Sequence, residues 1–267
     1  MKRTERIIAL TEILLSHPNE LLTLGFFAER FQTAKSTISE DLAAIKESLC
    51  IARKGYLETI PGAAGGIKYT PEIGREEAQK FLDSLAQTLS ASDRILPGGF
   101  LYMADILYDP HISKKLGLLF ASIFRKRNPE AVVTIETKGI PLALMTADAL
   151  GVPAVVVGHG NKVTEGSSVS INYISGSSER IQTMSLTRKA LRTGKRVLVI
   201  DDFIKAGGTA KGIMSLMQEF DAQVVGLGIL MEDAVWHTSR LVNDYHALLQ
   251  LEIDTATGNT SVRANRL

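Results

Sequence analysis

The apolar and polar positions of the 267-residue chain change pattern at about residue 74. In "ERIIALTEILLSHP" the apolar residues Ile7, Ile8, Leu10, Leu14 and Leu15 follow a helical period, which predicts an amphipathic helix ended by His17-Pro18. "TLGFFAERF" predicts a short second helix with Thr23 as N-cap. In "TAKSTISEDLAAIKESL" the residues Ile38, Leu42, Ile45 and Leu49 make one apolar face, so a third helix is expected. "GYLETIPGAAGGIKYTP" gives two β-prone pieces around a glycine-rich turn, a hairpin signal.

Beyond residue 74 the rhythm differs. "REEAQKFLDSLAQTLS" reads as a connecting helix. Near-continuous apolar runs then alternate with helical segments: "AVVTIE", "AVVVG", "RVLVID" and "AQVVGLGIL" as strands, "PLALMTADAL" and "GGTAKGIMSLMQEF" as helices. Strands apolar on both faces, separated by helices, predict a parallel sheet covered on both sides. Residues 1–74 and 75–267 are therefore expected to be separate domains. The segment 158–186 breaks the pattern by being long, polar and rich in Gly and Ser. A connection of that length is often functional. Alternation at Val169, Ile171, Tyr173 and at Ile181, Thr183, Ser185 predicts that part of it protrudes as a hairpin.

Composition narrows the partners. The formal net charge is +1, so no global field selects nucleic acid or membrane. The single cysteine, Cys50, allows no intrachain disulfide and reads as a small buried hydrophobe in a reducing compartment. No leader pattern and no apolar run of about 18 residues is present. A cytoplasmic protein without membrane association is expected.

The stretch "RVLVIDDFIKAGGTAKG" carries the clearest chemistry. Ligands of open parallel sheets sit at the carboxyl ends of strands, where Asp201 and Asp202 fall. The turn Phe203 to Thr209 then enters a helix whose first N–H groups lack partners within the helix. Gly207 and Gly208 allow close backbone approach, and Thr209 adds a hydroxyl, so the turn is suited to a phosphate monoester. The carboxylates would repel that phosphate but can accept hydrogen bonds from vicinal hydroxyls. A ribose 5-phosphate satisfies both halves, with its hydroxyls or a bridging Mg²⁺ offsetting the repulsion between the acids. A nucleotide P-loop is excluded because no lysine precedes Thr209, and a dinucleotide fingerprint because "GHGNKV" has Val163 where a third glycine is needed.

"VLVIDDFIKAGGT" resembles the signature of the type I phosphoribosyltransferase fold, which binds 5-phosphoribosyl-1-pyrophosphate (PRPP). Ala206 stands where many of these enzymes have a threonine, so one hydroxyl donor is missing. The resemblance implies effector contacts at Asp201, Asp202, Phe203, Lys205, Ala206, Gly207, Gly208 and Thr209. It also implies that "TIETKGIPLA" cradles pyrophosphate through Thr137, Lys138 and Gly139, and that segment 158–186 occupies the place of a mobile lid, with Lys162 as a phosphate contact. Tyr102 and Phe203 could stack on a base, and either could equally be core.

Three helices followed by a hairpin form the winged-helix arrangement, a helix-turn-helix variant. The start of the third helix offers Lys35, Ser36, Thr37 and Ser39 to phosphates and base edges, and Arg3, Arg6 and Lys68 could add phosphate contacts. Residues 1–74 hold nine acidic and nine basic side chains, so DNA binding requires one-sided placement, with Glu20, Glu40 and Glu47 turned away.

The order of these motifs, "PGAAGGIKY", "TKGIPLA", "NKVTEGSSVSINYISGSSERIQTMSL" and "DDFIKAGGT", resembles the purine operon repressors of Gram-positive bacteria over essentially the whole chain. That resemblance implies an α/β protein with an N-terminal winged-helix domain and a type I phosphoribosyltransferase-like effector domain built on a central parallel sheet. It further implies a homodimer that binds a double-stranded DNA operator, senses PRPP, and has no catalytic residue and no resident metal. Guanosine tetraphosphate, which also carries a pyrophosphate on a ribose, could compete for the site. Two other readings remain: an active purine phosphoribosyltransferase with a regulatory extension, and an assembly module that has lost its ligand.

Overall fold

The computed structural model describes residues 1–62, 65–96, 100–160, 166–174, 181–236, 241–253 and 260–267. Backbone proximity groups residues 1–74 with 148–151 as one compact unit and 75–147 with 152–267 as another.

The first unit runs α1 (Arg3–Ser16), β1 (Leu21–Leu22), α2 (Leu24–Phe31), α3 (Lys35–Ala52), β2 (Gly55–Ile60) and β3 (Gly66–Pro71). The three strands pair antiparallel in the order β1-β3-β2. Helix, short strand, two helices and a two-stranded wing define the winged-helix fold. Thr23 caps α2, its Oγ1 accepting from the Phe26 N–H at 3.0 Å. The chain leaves α2 through Gln32 in the left-handed region (φ 48°), which turns it into α3. All four residues of the expected apolar face of α3 are buried, against Phe27 and the inward side of α1. That inward side is narrower than the sequence pattern suggested. Leu10, Ile13 and Leu14 are buried, whereas Ile8 and Leu15 are exposed. Cys50 is exposed on α3, not buried as its chemistry suggested, because it lies next to rather than within the Ile38–Leu49 stripe.

The second unit opens with α4 (Arg75–Leu89), a small hairpin β4 (Ile95–Leu96) and β5 (Phe100–Leu101), α5 (Ala104–Leu107) and α6 (Pro110–Phe124). Asp109 caps α6 by accepting from the N–H groups of His111 and Ile112, with Pro110 at the first helical position. The alternation then begins: β6 (Ala131–Ile135), α7 (Ile140–Leu150), β7 (Ala154–His159), β8 (Ser168–Ile174), β9 (Ile181–Thr187), β10 (Arg196–Ile204), α8 (Gly208–Gln218), β11 (Gln223–Asp233), β12 (His246–Ile253) and β13 (Thr260–Ala264). One sheet holds eight strands in the order β13-β12-β11-β10-β6-β7-β9-β8. Its centre is parallel: β7, β6, β10, β11 and β12 run together. Strands β13 and β9 join the edges antiparallel.

The sheet is buried on both faces, as near-continuous apolar strands require. Val197 and Val199 of β10 pack with Val133, Val157 and the inward side of α8 (Ile213, Leu216, Met217). Leu198 and Ile200 of the same strand point the other way and are also fully buried. The expected hairpin exists as β8 and β9, but it is not a free protrusion. Strand β9 pairs with β7 at Gly158 and His159, and Tyr173, Met184 and Leu186 join the core beneath α8. No helix among the described residues is long and apolar enough to cross a membrane.

Candidate functional site

Strand β10 ends at the carboxyl edge of the sheet with Asp201 and Asp202. Asp201 is 6% exposed and Asp202 is half-buried. The Asp202 N–H donates to Asp201 Oδ1 at 2.9 Å, which ties the first carboxylate to the strand backbone. Burial, and next the charge of Asp202, push the Asp201 carboxyl well above the ordinary carboxylate range. Burial also pushes Asp202 up, opposed by its bond with Asp201 and by the ammonium of Lys138. The pair therefore holds protons more tightly than exposed acids do. A ligand that donates hydroxyl hydrogens, or a cation, favours its ionised form.

The turn after β10 is built as a cradle. Gly207 takes a left-handed conformation (φ 82°) and is the N-cap of α8. Its carbonyl accepts from the Lys211 N–H at 2.9 Å, and the Ala206 carbonyl accepts from the Leu241 N–H at 2.9 Å. These bonds fix Ala206 and Gly207, so the first N–H groups of α8 and the Thr209 side chain are presented from a rigid corner. Phe203, Lys205, Ala206 and Thr209 are half-buried, and Gly207 and Gly208 are buried.

The second expected loop meets the acid pair. After β6 the chain passes a cis Glu136–Thr137 peptide and reaches Gly139 at the start of α7. A Cβ at Gly139 would lie 2.3 Å from Thr134 Oγ1 and 3.3 Å from Asp201 Oδ1, so the loop approaches the acid pair as only glycine allows. Thr137 and Lys138 are exposed, and Lys138 is close enough to act on Asp202 electrostatically. Thus Thr137, Lys138, Gly139, Asp201 and Asp202 form one locus at the strand ends. Among the described residues no group of three or more His, Cys, Asp and Glu could hold a metal ion alone. A Mg²⁺ here would use Asp oxygens together with oxygens of its ligand, the coordination habit of that ion.

Two further candidates are Tyr102 and Lys162. Tyr102 is 44% exposed, not core; its backbone is bound to Arg94, which itself grips Asp105 through two bonds of 2.9 and 2.7 Å. Lys162 lies outside the described residues. Two residues were passed over in the sequence. Thr134, fully buried, is the floor under Gly139. Tyr173, buried on the hairpin, packs on Gly212 of α8, one turn beyond Thr209; in the sequence its alternation with Val169 and Ile171 was its only mark.

In the winged-helix unit, Lys35, Ser36 and Ser39 are exposed at the start of α3, and Thr37 is half-buried. The other three cations are engaged. Arg3 Nε and Arg6 Nε approach the two oxygens of Asp41 at 3.0 and 2.6 Å, and Asp41 is fully buried. Lys68 pairs with Glu58 across the wing at 3.0 Å. An acid one turn from Ile38 and Ile45 on an otherwise apolar face was the available signal that Asp41 required buried partners.

Comparison with known proteins agrees with both halves. Residues 2–71 match the family model of the bacterial purine repressor N-terminal region, and residues 103–260 match that of the phosphoribosyl transferase domain. The chain is 52% identical to the purine biosynthesis transcriptional repressor of Bacillus subtilis over 94% of its own length and 87% of the relative's. It is 39% identical to the purine biosynthesis transcriptional activator of Lactococcus lactis, covering all of this chain and 98% of that one. Adenine phosphoribosyltransferase from Rhodothermus marinus shares its fold over 64% of this chain and 99% of that one, with TM-score 0.56 and 26% identity. With full-length relatives of this kind, the chain belongs to the purine repressor family of transcriptional regulators, in which a winged helix is joined to a type I phosphoribosyltransferase fold.

Proposed function

We propose that this protein binds operators of purine biosynthesis genes through its winged helix and that PRPP held at the strand ends sets its affinity for them. What carries the reading is the meeting of three chemistries at one locus. The acid pair Asp201–Asp202 accepts the ribose hydroxyls. The corner Lys205 to Thr209 takes the 5′-phosphate. The loop Thr137, Lys138, Gly139 takes the pyrophosphate, with Mg²⁺ entering on the ligand. Support for a single locus comes from the 3.3 Å approach of the Gly139 position to Asp201 Oδ1. PRPP would report purine supply, since it is the phosphoribosyl donor of nucleotide synthesis. Guanosine tetraphosphate, also a ribose bearing pyrophosphate, would compete.

An effector shifts a regulator only through different affinity for its DNA-competent and incompetent states. The anionic charge of PRPP supplies one such difference, because DNA affinity depends steeply on charge. The protein would act as a cytoplasmic homodimer on double-stranded DNA. Relatives of near full length are named both repressor and activator, so the promoter outcome is expected to follow operator position rather than a change of site chemistry.

The test is an operator mobility shift with and without PRPP and Mg²⁺, paired with calorimetry. A PRPP-dependent shift that disappears in Asp202→Ala, while that variant's ligand-free DNA affinity stays near wild type, is the expected result. A normal PRPP response in Asp202→Ala would move the effector elsewhere.

A further inference from the structure

α4 begins at Arg75, where the chain leaves the winged-helix unit, and its apolar side, with Leu82, Leu85 and Leu89, is buried in the second unit. Its far end is pinned to the edge strand β13, where the Val262 N–H donates to Ser90 Oγ at 2.9 Å. Its first turns are held differently, by residues 265–267. The Gln79 side chain accepts from the Leu267 N–H at 3.3 Å and donates to the Asn265 carbonyl at 3.4 Å, and Arg75 donates to the Leu267 carbonyl.

Asn265 is a junction of three elements. Its N–H donates to the Leu248 carbonyl at 2.9 Å and its side-chain amide to the Ala247 carbonyl at 3.0 Å, both on β12. The amide also donates to Glu232 Oε1 on β11 at 3.4 Å, while the Asn265 carbonyl takes the bond from Gln79 on α4. A primary amide has two hydrogens to give, and here both are given. The start of α4 therefore cannot shift against β11 and β12 without breaking a bond at this residue.

The junction also leads toward the effector locus. Glu232 is 7% exposed and pairs in register with Ile204, the last residue of β10. Its second oxygen accepts from the Tyr245 hydroxyl at 2.6 Å. Tyr245 closes the segment 241–245, whose Leu241 N–H holds the Ala206 carbonyl at 2.9 Å and whose Val242 N lies 3.5 Å from the Cβ position of Gly207. A run of bonded groups thus leads from the 205–209 corner through residues 241–245, Glu232 and Asn265 to the first turns of α4. A buried carboxylate needs its donors, which keeps the middle of that run in place.

We infer that Asn265, bonded to Glu232 on one side and Gln79 on the other, couples occupancy of the effector locus to the seating of α4, the helix joined directly to the winged-helix unit. This rests on the effector reading proposed above. Coupling is reciprocal: PRPP changes operator affinity by the same factor as operator changes PRPP affinity. Loss of the junction should shrink that factor while each ligand alone binds as before. A residue that only stabilises the fold does not behave in this way.

The experiment measures operator affinity by fluorescence anisotropy with and without PRPP and Mg²⁺ on the whole chain, and PRPP affinity by calorimetry without DNA. Asn265→Ala and Gln79→Ala should each reduce the PRPP-induced change in operator affinity about fivefold. PRPP affinity without DNA and operator affinity without PRPP should both stay within about twofold of wild type. Tyr245→Phe acts on the same route, so combined with Asn265→Ala it should lose no more than the more damaging single substitution. Ser90→Ala loosens only the far end of α4 and should keep the full response. Thermal melts establish that each variant is folded, and Gln79 sits at a half-buried helical position that accepts alanine. A full response in Asn265→Ala and Gln79→Ala overturns the coupling route, as does an equal loss in Ser90→Ala or additive losses in the double variant. A wild-type operator affinity that ignores PRPP removes the proposed function and the coupling with it, a result distinct from a normal response that survives these substitutions.

Discussion

The backbone N–H of Asp202 is bonded to Oδ1 of Asp201 at 2.9 Å, and the carboxylate it holds is almost wholly removed from water. One backbone donor does not replace the hydration an ionised carboxylate loses on burial. The deficit is what raises the proton affinity of Asp201, with Asp202 adding to it. The buried pair is therefore a source of instability in the fold.

That instability has a definite pH dependence. Because the folded protein holds the Asp201 proton more tightly than the unfolded chain, protonation stabilises the fold. The contribution is fully present below the unfolded carboxylate pKa, about 4, and is lost as pH rises toward the raised folded value. Asp201→Asn keeps an acceptor for the Asp202 N–H but has no proton to lose. Its melting temperature should exceed that of the wild type at pH 7.5 by a few degrees, about 2–4 °C for each kcal/mol in a protein of this size. Below pH 4 the two should converge. Parallel melting curves across that range would show that the carboxylate is not the strained group.

The loop after β6 gives a second test. Thr134 is fully buried and cannot retreat from a methyl group at position 139, which would sit 2.3 Å from its Oγ1. Gly139→Ala should displace the loop and abolish PRPP heat while ligand-free operator affinity stays within about twofold of wild type. Gly207→Ala meets only ordinary contacts, 3.5 Å to the Val242 N, but must hold φ at 82°. That strain costs about 1–2 kcal/mol, so PRPP binding should weaken roughly tenfold without being lost. Equal effects of the two substitutions would mean that the Gly139 loop does not close on the acid pair as described.

How much of this was legible in the sequence depended on whether the relevant residues were neighbours in the chain. β6, β7, β10 and β11 were visible as β-branched apolar runs, and the acid pair with the glycine turn after it as one uninterrupted stretch. β12 and β13 were not assigned: "HALLQLEI" has the composition of a helix as much as of a strand, and pairing with β11 and β13 decides it. Contacts between distant positions, such as Gly139 on Asp201, carry no local signature. The same holds for Arg3 and Arg6, whose charge suggested DNA phosphates and whose geometry directs them to Asp41.

Those two arginines separate by exposure. Arg6 has an 11% exposed side chain beside a fully buried carboxylate, whereas that of Arg3 is 63% exposed. Removing Arg6 leaves Asp41 short of a partner in a dry site, which costs about 3 kcal/mol or more. Removing Arg3 breaks a largely solvated pair worth at most about 1 kcal/mol. Chemical denaturation of Arg6→Ala should therefore show a clear loss of stability, and Arg3→Ala almost none. If Arg3→Ala proves the more damaging, the roles assigned here are reversed.

Lys35 and Lys68 divide in the same way on the DNA side. Lys35 is exposed in the first turn of α3, the helix that enters the groove in winged-helix proteins, and its ammonium is 4.0 Å from the Cβ position of Gly25 on α2. Lys68 already faces Glu58 at 3.0 Å. Each phosphate neutralised by a cation contributes close to one unit to the slope of log affinity against log salt. Lys35→Ala should lower that slope by about one and weaken operator and random DNA alike, since a phosphate contact carries no sequence information. Lys68→Ala should leave the slope unchanged, because Glu58 already neutralises its charge. An unaltered slope in Lys35→Ala would remove this residue from the backbone contact, and a reduced one in Lys68→Ala would mean that the wing lysine leaves Glu58 for DNA.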